Sequence, residues 1–206
     1  MALEIIGFAR SNFVRTVRMV AEEKGVAYKH LPELPHSDVI KGLHPMGQIP
    51  AMRHDGFALF ESMAIAQYID TAFDGPAMIP SDPKGAGIVN QWASFVQTSV
   101  DRLILRQYVV QYLFNKDADG NVVRTEIDQA IKRFPKMFGE LDKATEGGFL
   151  AGSSFSLADC FLMPILGGAQ MFPEGQEAFD ASPNLKAYFE AHAQRPGFAN
   201  TALQPA

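Results

Sequence analysis

Residues 73–86, FDGPAMIPSDPKGA, constrain the fold more than any other stretch. Pro76, Pro80 and Pro83 stand among glycines with no apolar period, so neither a helix nor a paired strand can run through them. The patterning also differs on the two sides. Before this stretch, strand and helix signals alternate; after it, the apolar periods read as helices. A chain of 206 residues is long enough for two small cores. The reading is therefore an α/β domain over 1–72, a linker over 73–86 and an all-helical domain over 87–206.

In the first part, LEIIGFA (3–9) reads as a buried strand. From Ser11 apolar residues recur at Val14, Val17, Val20 and Ala21, a helical spacing that stops at Gly25. VAYKHL (26–31) alternates as a second strand, which a right-handed crossover would set parallel to the first. Residues 49–53 and 57–60 form a hairpin across His54-Asp55-Gly56, with Pro50 expected at the start of an edge strand. A helix follows over 62–71. The order is β-α-β-(α)-β-β-α, a small mixed sheet.

In the second part, Trp92, Phe95, Val96, Ser99, Val100 and Leu103 keep helical spacing, as do Ile127, Ala130, Ile131, Phe134, Phe138 and Leu141. Pro135 should break that second run near residue 134, and Pro164 should bend a later helix. Ser156-Leu157-Ala158-Asp159 has the form of a capping box with Asp in the third position. The segment 182–198 reads as a last amphipathic helix ended by Arg195-Pro196-Gly197.

Several function classes drop out. A net charge of −5 without basic runs argues against a nucleic-acid partner. MALEIIGFARS is too short and too acidic for a signal peptide or a membrane span. Cys160 is the one cysteine, so there is no internal disulfide and no redox pair, and a reducing cytoplasm is expected. The five histidines make no metal-ligand pattern, and Asp117–Asn121 lacks the spacing of a calcium loop.

Three places can carry chemistry. Pro50 after Ile49 is either an ordinary trans proline or a cis one; a cis bond would turn the Ile49 N–H and C=O outward to pair with a short peptide. Glu61-Ser62 at a helix entrance offers a carboxylate for an ammonium group, and a hydroxyl with free N–H groups for a carboxylate. Alternatively, Ser62 caps its own helix. Ser11 is either an N-cap or, at the carboxyl end of a parallel strand, a hydroxyl facing a ligand. Asn12 is the alternative donor. Aromatic residues Phe8, Phe13, Tyr108 and Tyr112 are candidates for an apolar pocket, the last two being four residues apart on one helical face.

HPMGQIPAM followed by LFESMAIAQYI resembles the central motif of the glutathione transferases, and SNFVRTV resembles the serine segment of their phi, theta and zeta classes. The linker, SLAD and PNLKAYFEAHAQRP match as well, so the resemblance spans essentially the whole chain. It implies a thioredoxin-like N-terminal domain that binds glutathione and a helical C-terminal domain, with a homodimer as the assembly. It further implies that Ile49, before a cis-Pro50, pairs with the cysteinyl backbone of glutathione, with Gln48 helping. Glu61 and Ser62 would hold the γ-glutamyl end, and Lys41, or else His36, the glycyl carboxylate. Ser11 would stabilise the thiolate that attacks a small apolar electrophile. A glutathione-dependent isomerase or dehalogenase and a non-catalytic interaction protein are the alternatives. No metal is expected. His44 stands where the family pattern has Asn.

Overall fold

A computed structural model describes residues 3–202 and resolves them into two units. The first holds the chain up to Pro80 together with residues from Gln194 onward; the second is Ser81–Ala193.

In the first unit β1 (Leu3–Ile6) is central and pairs in parallel with β2 (Tyr28–Leu31). On its other side lies β3 (Ala51–His54), antiparallel, and β4 (Phe57–Phe60) closes the sheet in the order β2-β1-β3-β4. The mixed sheet agrees with the sequence reading. The strand ends do not. β1 stops at Ile6 and β2 starts at Tyr28, two residues later than expected. β3 begins at Ala51, after the proline, and it is an interior strand, whereas Pro50 was expected to open an edge strand. Pro50 lacks an N–H for a ladder, so regular pairing starts one residue later.

Between β1 and β2 runs α1 (Asn12–Glu23), burying Val14, Val17, Met19, Val20 and Ala21. It packs against α3 (Ser62–Ala72), which buries Ile65, Ala66 and Ile69. A second small core joins Ile6, Ala51 and Ile40 of the short α2 (Asp38–Lys41), with Leu31, Leu43 and Ile49 packed against it. The start of the Pro/Gly-rich stretch belongs to this unit. The buried Lys24 ammonium donates to Asp70 and to the Pro76 carbonyl, while Asp70 accepts the Met78 and Ile79 N–H groups.

The C-terminal segment also departs from the sequence reading. Arg195-Pro196-Gly197 does not simply end the last helix; Pro196 opens a further short one, α11 (Pro196–Asn200). α11 packs on α1. Arg195 pairs with Glu23 at 2.6 Å, Gly197 N–H donates to the same carboxylate, and Arg15 stacks over Phe198 while donating to its carbonyl. A Cβ on Gly197 would lie 2.7 Å from Glu23 Oε1, so this approach needs glycine. These ties are charged and local to α1, which an apolar-period reading does not register.

In the second unit α4 (Pro83–Phe95) starts inside the expected linker, because Asp82 caps it by accepting the Gly85 N–H at 2.8 Å and Pro83 fits the first turn. The helix continues as a wide-turn segment, Val96–Val109, whose hydrogen bonds reach five residues back; Val110 N–H bonds the Leu105 carbonyl. It ends as α5 (Val110–Phe114). The run 127–141 is indeed broken: α6 (Thr125–Ile131) stops and α7 (Phe134–Ala144) restarts with Pro135 in its first turn. α8 (Leu157–Ala169) carries Pro164 inside it and is buried almost throughout, with α9 (Pro173–Asp180) and α10 (Pro183–His192) following. Asp159, fully buried, accepts from the Ser156 N–H and hydroxyl, the Leu150 N–H and the Tyr188 hydroxyl. The capping box read from SLAD is thus present, and its carboxylate also anchors two other segments.

Candidate functional site

The candidate site forms where β1 ends. Gly7 sits there at φ +150, and a Cβ on it would lie 2.5 Å from the Val14 side chain and 3.1 Å from Ile49 Cβ. Only glycine lets the end of β1, the first turn of α1 and the Ile49 loop approach this closely. Its carbonyl accepts from His30 Nε2 at 2.8 Å. Burial pushes the His30 pKa down, favouring the neutral ring.

Ser11 precedes α1 with an extended backbone, the N-cap conformation, yet its side chain makes no capping hydrogen bond. It is half-buried, and among the described residues its hydroxyl has no partner. Asn12 is placed differently. It is 8% exposed, and both polar atoms of its amide are sealed from solvent with no hydrogen bond. As folded, the Asn12 amide cannot reach a ligand in solvent, whereas the Ser11 hydroxyl is uncommitted. Arg15, one turn on, is not a free cation here: burial, with Arg18 nearby, pulls its pKa down to about 10, and its guanidinium is held by the C-terminal segment.

The Ile49–Pro50 bond is cis. Among the described residues neither the Ile49 N–H nor its C=O has a main-chain partner. Gln48 beside it is exposed and Pro50 is buried. The loop before it is wired tightly. Gly47 N–H bonds the His44 carbonyl, His36 N–H bonds the Gly47 carbonyl, and Gly47 (φ +65) leaves no room for a Cβ under the His36 ring, 2.6 Å from Nδ1. His36, itself at φ +64, is thereby held over Gly47 next to Gln48. Lys41, at the end of α2, is 61% exposed, with its ammonium 3.8 Å from Asp38.

Glu61 is the N-cap of α3 at φ +71, a conformation disfavoured for any residue with a Cβ. Its side chain caps nothing and is 65% exposed. Ser62 is the first helical residue rather than the cap, and it is buried. The first N–H groups of α3 have no acceptor within the helix, so the helix start presents donors beside an exposed carboxylate.

One residue that the sequence reading left without a role enters here. His44, 4% exposed, packs its ring at a tilt against Phe60, accepts the Met46 N–H on Nδ1 at 3.0 Å and brings Nε2 to 3.5 Å from Glu61 Oε1. The only signal in the sequence was the change from Asn to His before Pro45.

The aromatic candidates divide. Phe8 is exposed at the end of β1 and Phe13 is half-buried on α1. Tyr108 is a correction: it is fully buried in the second unit, so it is core and not pocket. Its hydroxyl donates to Glu174 and accepts the Gly175 N–H at 2.7 Å, and burial pushes its pKa up. Tyr112 is likewise committed, its hydroxyl on Glu174 and its ring stacked on Phe172 at 4.2 Å. Burial works against the charge of Glu174, but hydrogen bonds from Tyr112 and Arg124 hold its pKa below the usual carboxylate range. Tyr108→Phe leaves the Gly175 N–H buried and unpaired, and is expected to lower stability by about 1.5 kcal/mol in urea unfolding. No change would mean that water replaces the hydroxyl. Among the described residues no three His, Cys, Asp or Glu side chains cluster as metal ligands, and Asp117 is occupied by turn N–H groups. Cys160 is buried.

A four-stranded mixed sheet with an uncommitted serine at the start of its first helix, a cis-proline loop and a Glu-Ser helix entrance, followed by a separate helical unit, defines a thioredoxin-like domain joined to a helical one. The comparisons agree. Residues 5–77 match the family model "Glutathione S-transferase, N-terminal domain", and 105–200 match "Glutathione S-transferase, C-terminal domain". Glutathione S-transferase 3 of Zea mays is 30% identical over 97% of this chain and 92% of its own length. A probable glutathione S-transferase of Nicotiana tabacum is 28% identical over 76% of this chain, spanning 66% of that relative. The crystal structure of glutathione transferase F7 from Populus trichocarpa superposes with a TM-score of 0.86 at 26% identity, covering 97% of each chain. The chain belongs to the glutathione S-transferase family. No helix among its described residues is long and apolar enough to cross a membrane.

Proposed function

We propose that this protein binds glutathione in its first unit, lowers the pKa of the cysteinyl thiol and directs the thiolate at a small apolar electrophile. The observation that carries the reading is the Ser11 hydroxyl, free of capping duty at the helix start that packs, through Gly7, against the Ile49 loop. The unpaired Ile49 main chain would hold the cysteinyl backbone in strand-like pairing, with Gln48 alongside. Glu61 would take the γ-glutamyl ammonium, while Ser62 and the start of α3 take its carboxylate. For the glycyl carboxylate the candidates are Lys41 and His36, both exposed, the His36 ring lying over Gly47, the residue before Gln48. Phe8 and Phe13 would line the approach of the electrophile; detoxification by conjugation is the corresponding role.

A homodimer is part of the proposal. Phe57 and Phe60 are exposed on opposite faces of the edge strand β4, an edge that a second copy would cover. A cytoplasmic location accords with a single, buried cysteine.

The test is the ultraviolet thiolate absorbance of bound glutathione, titrated with pH. A midpoint at least one unit below the free thiol's supports the reading. Binding with an unshifted midpoint would leave a peptide-binding module without nucleophile activation, and no binding at millimolar glutathione would remove the site altogether.

A further inference from the structure

We infer that His44 is a positioning residue for glutathione, aligning Glu61 for the ligand's α-ammonium group; the inference rests on the glutathione reading above. Its two ring nitrogens have separate tasks. Nδ1 accepts the Met46 N–H, so in the neutral ring the proton resides on Nε2. Nε2 lies 3.5 Å from Glu61 Oε1, a separation that rotation of the exposed carboxylate would bring within hydrogen-bond range. The donation requires no charge on the imidazole.

The surroundings make this a bridge between the two halves of the site. His44 lies in the turn that leads to Ile49-Pro50: its N–H bonds the Ile40 carbonyl and its carbonyl accepts the Gly47 N–H. Its ring is buried against Phe60, the residue immediately before Glu61. Glu61 is exposed, makes no capping bond and sits in a disfavoured backbone region. A long, exposed side chain of this kind samples many rotamers, and a fixed donor from a buried ring narrows them before the ligand arrives. An asparagine at 44 could place its oxygen near the Nδ1 position but would be too short to present a donor at Nε2.

That difference supplies the experiment. In His44→Asn the side-chain oxygen can still accept the Met46 N–H, while Glu61 loses its partner. In His44→Gln the side-chain amide can reach towards Glu61, while the Nδ1 acceptor is lost. Thermal unfolding checks that each variant is folded. Binding is measured by calorimetry with two peptides: glutathione, and glutaryl-cysteinyl-glycine, which lacks only the α-ammonium. Wild type is expected to prefer glutathione. His44→Asn is expected to weaken glutathione binding about fivefold, the scale of one net hydrogen bond, and to leave the des-amino peptide's affinity where it was. His44→Gln is expected to retain more of the preference than His44→Asn. In a Glu61→Gln background the His44→Asn change should add little further loss.

Equal weakening of both peptides in His44→Asn would overturn the inference and make His44 a loop residue only. So would an unchanged preference. A wild type that binds both peptides equally would overturn the inference together with the assignment of Glu61, a result distinguishable from the other two because it appears before any substitution.

Discussion

Ser11→Ala is expected to lower turnover at least tenfold at neutral pH, with the loss shrinking as the pH rises. A free thiol with pKa about 8.5 is only a few per cent thiolate at pH 7. A hydrogen bond to a charged group contributes roughly 1.5–3 kcal/mol, which is about one to two pKa units. The Ser11 hydroxyl is available for that bond because it caps nothing, and the start of α1 adds a favourable dipole. The sign follows directly. The hydroxyl stabilises the thiolate, so it lowers the thiol pKa; removing it raises the pKa and starves the reaction of nucleophile below that value. Above it both enzymes carry thiolate and their rates converge. The pH–rate profile of the alanine variant should therefore be displaced to higher pH by one to two units. An undisplaced profile with normal turnover would remove Ser11 from the mechanism. Asn12→Ala is the control, and it is expected to affect folding more than the profile, since its amide is sealed from solvent.

The largest expected loss of stability comes from Asp159→Ala. The carboxylate is fully buried and accepts four hydrogen bonds, two from Ser156, one from the Leu150 N–H and one from the Tyr188 hydroxyl. Removing it strands these donors and leaves a cavity. The expected cost is about 4 kcal/mol, a large part of the stability of a domain this size. Urea unfolding monitored on the helical unit measures it. Asp159→Asn should cost less than the alanine change, because an amide oxygen can still accept from two of the donors. A loss below about 1 kcal/mol for alanine would mean that water satisfies the site. The glutathione affinity of folded Asp159→Ala should stay near that of the wild type, since the proposed peptide site lies wholly in the other unit.

Features set by local covalent and hydrogen-bonding rules were legible in the sequence. The break at Pro135, the SLAD cap and the strand–helix–strand opening all follow from a missing N–H, a side chain that mimics a main-chain acceptor, or a repeating apolar face. Ile49-Pro50 and Glu61-Ser62 could be singled out because proline and a helix-entrance pair have few other uses. Features that depend on what lies opposite were not legible. Tyr108 and Tyr112 share a helical face whatever that face meets, and Glu174, more than sixty residues away, engages both hydroxyls. Pro50 introduces an interior strand and not an edge because strand order is decided by pairing with β1.

By itself, then, the sequence determined the two regimes of periodicity, the kind of fold and the residue types suited to a tripeptide with two charged ends. The tertiary structure alone decided that Ser11 caps nothing while Asn12 is shut away, that the C-terminal segment returns to α1 and that His44 meets Glu61. The physical reason is range. Propensity and capping act within a few residues of chain, whereas burial and the partner of a polar side chain depend on segments that only folding brings together.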